Sequence, residues 1–298
     1  MSDQVIHPIY KYYIDSYNAL YQLKTENEKD LNSIYKILKT ELIKSKKSLP
    51  QNIIRDISDI IMYNIRYTKS YLYLVKLIFD DYHVKEENFV PCELRTLFYK
   101  EYGIKIYNSD DFEEFDIKNP FIHTENTIYR AIMYNNKEEF ISFTEREEFD
   151  KNQKFEGNLY TYPFNGLSLL ELCCYHGAVD CFKFLRTKFN SEITQECLKL
   201  SFLGGNPEIM SECLKYQKPN DKCMEYAIIS HNIDFVTFLM NEYDMEINLG
   251  YCGDYKNLES FLVYFDRTND VNKCLERGSK LLFVTFPQEY KGKKLSYS

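Results

Sequence analysis

At 298 residues the chain has room for one elongated array or for two domains, and 44% hydrophobic residues supply ample core for either. Its net charge of −8 weighs against a general electrostatic grip on nucleic acid or on anionic lipid, so neither a nucleic acid nor a membrane is expected as a partner. The 27 tyrosines sit in a chain rich in Asn, Lys and Ile, a bias that AT-rich coding explains, and they are not read as a binding belt.

The first part, residues 1–115, reads as a helical N-terminal module. Residues 9–23 and 31–49 are long helical stretches, the second carrying Leu31, Ile34, Leu38 and Leu42 at helical spacing before Pro50 breaks it. Residues 53–77 continue as one or two helices, and Pro91 opens another over residues 92–102. Lys44, Lys46 and Lys47 read as a solvated helix end. Asp110, Asp111, Glu113, Glu114 and Asp116 form an acidic linker.

Beyond it, residues 124–275 carry a recurring pattern, clearest over 167–262. In residues 166–186 Ser168 caps a first helix and Glu171 completes a capping box. Cys173 and Cys174 are small enough for close helix–helix approach, Gly177 supplies the turn, and Cys181, Phe182 and Leu185 form the apolar face of a second helix. Aligned on that turn, Gly177 pairs with Asn135, Gly205, His231 and Asp254. Separations of 28, 26 and 23 residues from Gly177 onward describe paired helices with short connectors. Asn206-Pro207, Asn220 and Asn232 each cap a helix. Residues 147–166 are interrupted by Gly157, Pro163 and Gly166, and residues 151–158 read as an exposed loop open to a protease. Residues 267–275 begin another connector. Residues 276–298 are an atypical tail: a strand-like apolar run followed by basic Lys291, Lys293 and Lys294.

The Ser168–Cys173 wording resembles an ankyrin repeat, with Leu169 and Glu171 departing from that pattern's Pro and His. The order of modules, a helical start followed by short degenerate repeats, is similar to the ankyrin family of trichomonad protozoa, whose degenerate repeats form a domain class of unknown function. The resemblance implies an all-α fold, an α-solenoid of ankyrin-like helix-turn-helix repeats behind an N-terminal helical module, and it implies protein binding without chemistry. Regular repeats do not follow in this chain, which leaves open a truncated paralogue or a frameshifted tail.

No catalytic, cofactor-binding or metal-binding residue emerges. The five histidines show no zinc spacing, residues 250–253 lack the ending of a phosphate loop, and the nine cysteines form no Cys-x-x-Cys. His176 and His231 read as capping or solvent-facing, and Cys173 and Cys174 as packing rather than redox. The odd cysteine count, the absence of an N-linked sequon and the Met-Ser-Asp-Gln start point to a reducing, cytoplasmic setting. A non-enzymatic protein-interaction scaffold is therefore expected, its partner unidentified. The alternative is an inert or self-associating paralogue, joining through residues 281–286 near the C-terminal end. Glu171, Lys199 and Glu225, with Tyr175, Leu203 and Ile229 one turn later, either line a concave face or are solvated or packed against the next unit.

Overall fold

The computed structural model describes residues 8–84, 92–106, 126–156, 160 and 166–277. They are mostly helical. The N-terminal part contains α1 (Pro8–Tyr21), α2 (Glu28–Ile37), α3 (Pro50–Ile61), α4 (Thr68–Tyr82) and α5 (Cys92–Tyr102). The array contains α6 (Ile128–Met133), α7 (Lys137–Thr144), α8 (Leu169–His176), α9 (Val179–Phe189), α10 (Gln195–Gly204), α11 (Pro207–Leu214), α12 (Asp221–Ile229), α13 (Ile233–Tyr243), α14 (Leu249–Asp254), α15 (Leu258–Thr268) and α16 (Val271–Arg277).

Five hairpins pair α6 with α7, α8 with α9, α10 with α11, α12 with α13 and α14 with α15. The first helices stack in one row, α6 on α8 on α10 on α12 on α14, and among the second helices α9 packs against α7 and α11, and α13 against α15. The result is a repeat-like stack in which each hairpin buries its face against its neighbours. The small residues expected at the closest approaches are there: Cys173, Cys174, Cys197 and Cys213 are all fully buried.

Each hairpin turns on one residue of left-handed backbone, at Asn135, Gly177, Gly205, His231 and Lys256. The fifth is a correction, since the spacing placed that turn at Asp254. Asp254 is instead the last residue of α14, and moving the turn to Lys256 lengthens the final separation to 25 residues. The following residue then caps the second helix through its side chain in four of the five, at Asn136, Asn206, Asn232 and Asn257. The exception is Ala178. There Asn135 of the preceding hairpin supplies the cap from outside, its Oδ1 accepting from the backbone N–H of Asp180 at 3.0 Å and of Cys181 at 3.3 Å. The predicted Ser168–Glu171 capping box is formed, with the Ser168 N–H donating to Glu171 Oε2 at 2.8 Å.

Four other expectations need revision. Residues 151–158 are not simply an exposed loop. Lys154–Phe155 forms a two-residue antiparallel strand with Leu167–Ser168, and Phe155 and Leu167 are buried. Gly166 permits that pairing, because at φ 72° a Cβ there would lie 2.7 Å from Phe155 O. Residues 267–275 are not only a connector, since α16 packs against α14. The helix predicted over 31–49 ends early: α2 runs into a π-helical turn at Leu38–Lys44, whose wider coil turns Leu38, Leu42 and Ile43 inward together. Pro50 opens α3 at its first turn rather than merely ending what precedes it. The acidic linker at 110–116 and the tail at 278–298 lie outside the described residues.

Hydrophobic burial does not stop between the two parts. One core runs from Tyr13 to Cys274, and α1 packs against α15. The N-terminal helices are thus a layer of the same core, held inside by Tyr71, whose hydroxyl donates to Leu20 O at 2.7 Å.

The tightest point in the stack is Gly204 of α10. A Cβ there would fall 2.0 Å from Cys174 O and 2.7 Å from Gly177 N, both backbone atoms that cannot move aside alone. Gly205 next to it has open space and only its left-handed φ of 69° to satisfy. Urea unfolding of Gly204→Ala should therefore show a loss of about 3 kcal/mol. Gly205→Ala should lose about 1 kcal/mol, the cost of a left-handed alanine. Equal losses would mean that the α8–α10 approach is not the constraint it is taken to be.

Candidate functional site

The first helices present a polar stripe across the stack. Glu171 accepts from Thr194 Oγ1 at 2.9 Å, Lys199 pairs with Glu196 at 2.6 Å and lies over the Tyr226 ring at 4.7 Å, and Glu225 pairs with Lys222 at 2.6 Å. Glu225 also accepts from the Tyr255 hydroxyl at 3.0 Å. Each of the charges on Glu171, Lys199 and Glu225 is engaged within its own hairpin or with the next, and Glu171 and Glu225 are buried. Burial raises the Glu196 carboxyl above its usual range, with Lys199 opposing the rise.

One turn further along, the face is occupied by the N-terminal helices. Tyr175 is buried, with its hydroxyl donating to Met62 O at 3.0 Å and accepting from the Ile65 N–H at 3.3 Å. Tyr63 meets Tyr226 and Tyr255 edge to face, with ring centroids 6.2 and 5.7 Å apart. Ile229 is fully buried, and Leu203 is half-buried. Tyr175 is thus committed to an intramolecular contact, while Leu203 and Ile229 line a cleft beside it.

His231 is the pivot of that contact: it does not face solvent, and of the two expected roles only capping is seen, toward the carbonyl of Tyr255 at the end of α14. It is 3% exposed; one ring nitrogen lies 2.7 Å from Asn18 Oδ1 and the other 2.8 Å from Tyr255 O. Tyr21 stacks on its ring at 4.0 Å, and Gln22 Nε2 donates to its carbonyl at 2.7 Å. Burial pushes the imidazole down to about 4, partly offset by the Tyr255 carbonyl. His176 instead meets the Tyr160 hydroxyl at 2.9 Å. Its neighbours Cys173 and Cys174 are buried, and burial drives both thiols well above the ordinary cysteine range, away from nucleophilic chemistry.

Between the N-terminal helices and three successive hairpin turns lies a cleft of about 540 Å³. Its floor is the chain around Gly177, Gly205 and Ser230, and its walls are Tyr21, Tyr63, Tyr67 and Tyr175. Lys24 and Arg66 line it, and no carboxylate does. Arg66 sits with its guanidinium over the rings of Tyr67 at 5.3 Å and Tyr134 at 4.6 Å. Its Nε is buried and has no hydrogen-bond partner among the described residues. Sequence reasoning missed this site because Lys24, between α1 and α2, and Arg66, in the helical turn Ile65–Tyr67, lie 42 residues apart. No linear motif joins them.

Two predictions follow the contact. Tyr175→Phe removes a hydroxyl that serves both Met62 O and the Ile65 N–H, and leaving those buried groups unmatched should lower stability by about 2 kcal/mol in urea unfolding. His231, whose folded pKa lies below its unfolded value, must lose stability as pH falls below about 6.5, since the unfolded chain binds the proton that the folded chain refuses. Asp56, Asp59 and Glu259, raised by burial, titrate in the opposite sense, so the comparison is with His231→Asn, which keeps them and tolerates the left-handed backbone. From pH 7 to about pH 5 the wild type should lose about 2 kcal/mol more than the variant. Parallel pH profiles would show that the imidazole is not buried neutral.

Residues 189–264 match the family model of DUF3447, a domain of unknown function. The matched span runs from the end of α9 through most of α15, three hairpins of the stack. No curated protein and no solved structure matches the chain.

Proposed function

We propose that this chain is a non-enzymatic, ankyrin-type repeat protein that serves as a protein-interaction scaffold. The observation that carries the reading is the stack of hairpins, in which each first helix packs on the next and second helices meet at α7–α9–α11 and α13–α15. Such a stack offers long surfaces built from repeated positions, which suit recognition of another chain better than assembly of a reaction centre. The left-handed turns, the Ser168–Glu171 capping box and the buried cysteines in the small-residue slots all support the ankyrin-like description of the unit. So does the match over residues 189–264, which covers the three hairpins that follow the unit whose Ser168–Cys173 wording carries the resemblance.

The setting that fits is cytoplasmic. Eight cysteines of the described residues are free thiols and all are buried. Among the described residues no helix is long and apolar enough to cross a membrane. The net charge of −8 argues for a protein partner over nucleic acid or lipid. Because the N-terminal helices already cover the inner face near the turns, the partner surface lies at the edges of that contact and on the second helices.

Size-exclusion chromatography with light scattering, run on the full chain across a wide concentration range and combined with cross-linked affinity capture, tests the proposal. A monomer that retains one stoichiometric protein partner is the expected result. Concentration-dependent oligomers that dissolve when residues 281–286 are deleted would instead make the chain a self-associating protein and overturn the scaffold reading.

A further inference from the structure

We infer that the cleft between the N-terminal helices and the hairpin turns is a receptor for a short acidic peptide segment carrying an apolar or aromatic side chain. The inference rests on the scaffold reading and names the chemistry of its partner.

Charge is the first argument. The chain has 45 acidic and 37 basic residues, yet the 540 Å³ cleft is lined by Lys24 and Arg66 and by no carboxylate. Neither cation forms an ion pair among the described residues. The two tyrosine rings offset part of the hydration that the half-buried Arg66 guanidinium loses, but its buried Nε has no hydrogen-bond partner among the described residues, and a carboxylate from outside would supply one. Arg66 is moreover oriented before any ligand arrives, because the rings of Tyr67 and Tyr134 hold its plane. That fixed fork suits a carboxylate better than a flexible ammonium would.

The walls supply the second argument. Tyr21, Tyr63 and Tyr67 present ring surface beside the cations, and Leu203 and Phe235 add apolar floor. A glutamate-bearing peptide with a neighbouring leucine or phenylalanine satisfies both kinds of wall, and a cleft of this volume holds only a few side chains.

Two other anions fit less well. A nucleotide needs a cradle of free backbone N–H groups for its phosphates, and the nearest helix start, α11, has the N–H groups of Glu208 and Ile209 already taken by Asn206 Oδ1 at 3.0 and 3.1 Å. A long polyanion would meet the repulsion of the net −8 charge once it extended past the cleft. A short acidic segment meets Lys24 and Arg66 in the cleft, with Arg130 behind the Tyr134 ring and Glu26, at the Tyr134 hydroxyl, as the neighbouring carboxylate.

The test uses the full chain and fluorescence anisotropy with a labelled pentapeptide of alternating glutamate and leucine or phenylalanine, beside its glutamine counterpart. The glutamate peptide should bind at least about tenfold more tightly than the glutamine one, and its affinity should fall as salt rises. Lys24→Glu changes an exposed side chain, so folding is preserved, and it should weaken binding about tenfold. Arg66→Lys should weaken it by loss of the planar fork, while Lys188→Glu, exposed on α9 away from the cleft, should leave it unchanged. Equal binding of the two peptides, no binding of either, or wild-type affinity in Lys24→Glu overturns the inference. So does saturable binding of AMP that Lys24→Glu abolishes while the peptide fails to bind, since the site would then take a nucleotide. A chain that keeps its cross-linked partner in Lys24→Glu refutes this cleft alone and leaves the scaffold standing; a chain with no partner in either form refutes the scaffold itself.

Discussion

The left-handed residue at each hairpin turn is the constraint from which the rest of the stack follows. With one residue at positive φ, the first helix can end and the chain reverse within two residues, so the next side chain falls at the N-cap of the second helix. Four of those caps are asparagines within their own hairpin, and the fifth is lent by Asn135 across the hairpin boundary. Turn, cap and stacking are thereby one device. Asn257 shows the same coupling, since its Oδ1 caps α15 while its Nδ2 donates to Ile228 O of the preceding hairpin at 2.8 Å. A residue that satisfies its own helix and a neighbour's carbonyl fixes both the length of the unit and its distance from the next.

Close approach then dictates composition. Because α8 and α10 meet at Gly177 and Gly204 with no room for a methyl group, the residues around them must be small and apolar, and thiols fill that need. Cys174 donates to Cys197, which holds the Cys197 thiol below its usual range while burial and the same contact raise Cys174. The contact joins α8 to α10 and has no route to solvent, which is why a row of cysteines here is packing material.

Periodicity and turn chemistry were the legible part of the chain. The capping box at Ser168, the Asn-Pro start of α11, the caps at Asn220 and Asn232 and the turn at Gly177 all rest on interactions within a few residues, and each is found. The misplaced turn at Asp254 has a local cause: Gly250, Gly253 and Asp254 advertise a turn, yet they lie inside the short helix α14, and Lys256 takes the left-handed position. What stayed hidden was tertiary. Nothing around His231 announces that Asn18, Tyr21 and Gln22, more than two hundred residues earlier, will enclose it. The cleft was hidden for the same reason, being an edge between two parts that sequence reading had kept separate.

That edge changes what kind of binding surface the stack has. An open row of first helices would offer its whole polar stripe to a partner, but here the stripe is internally paired and the adjoining turn is covered by Tyr63 and the chain around Met62 and Ile65. The N-terminal helices act toward the array as a bound partner would, packing Tyr63 against Tyr226 and Tyr255 and satisfying polar groups such as the Tyr175 hydroxyl. Because this occupant is tethered, its effective concentration is far above that of any free competitor, and a partner gains little by displacing it. Recognition is therefore directed to places where the two parts meet without filling the space between them. Of those, the cleft at the turns combines unpaired cations with aromatic walls, and its specificity is set jointly by the two separate segments that carry Lys24 and Arg66 and by the turns that form its floor.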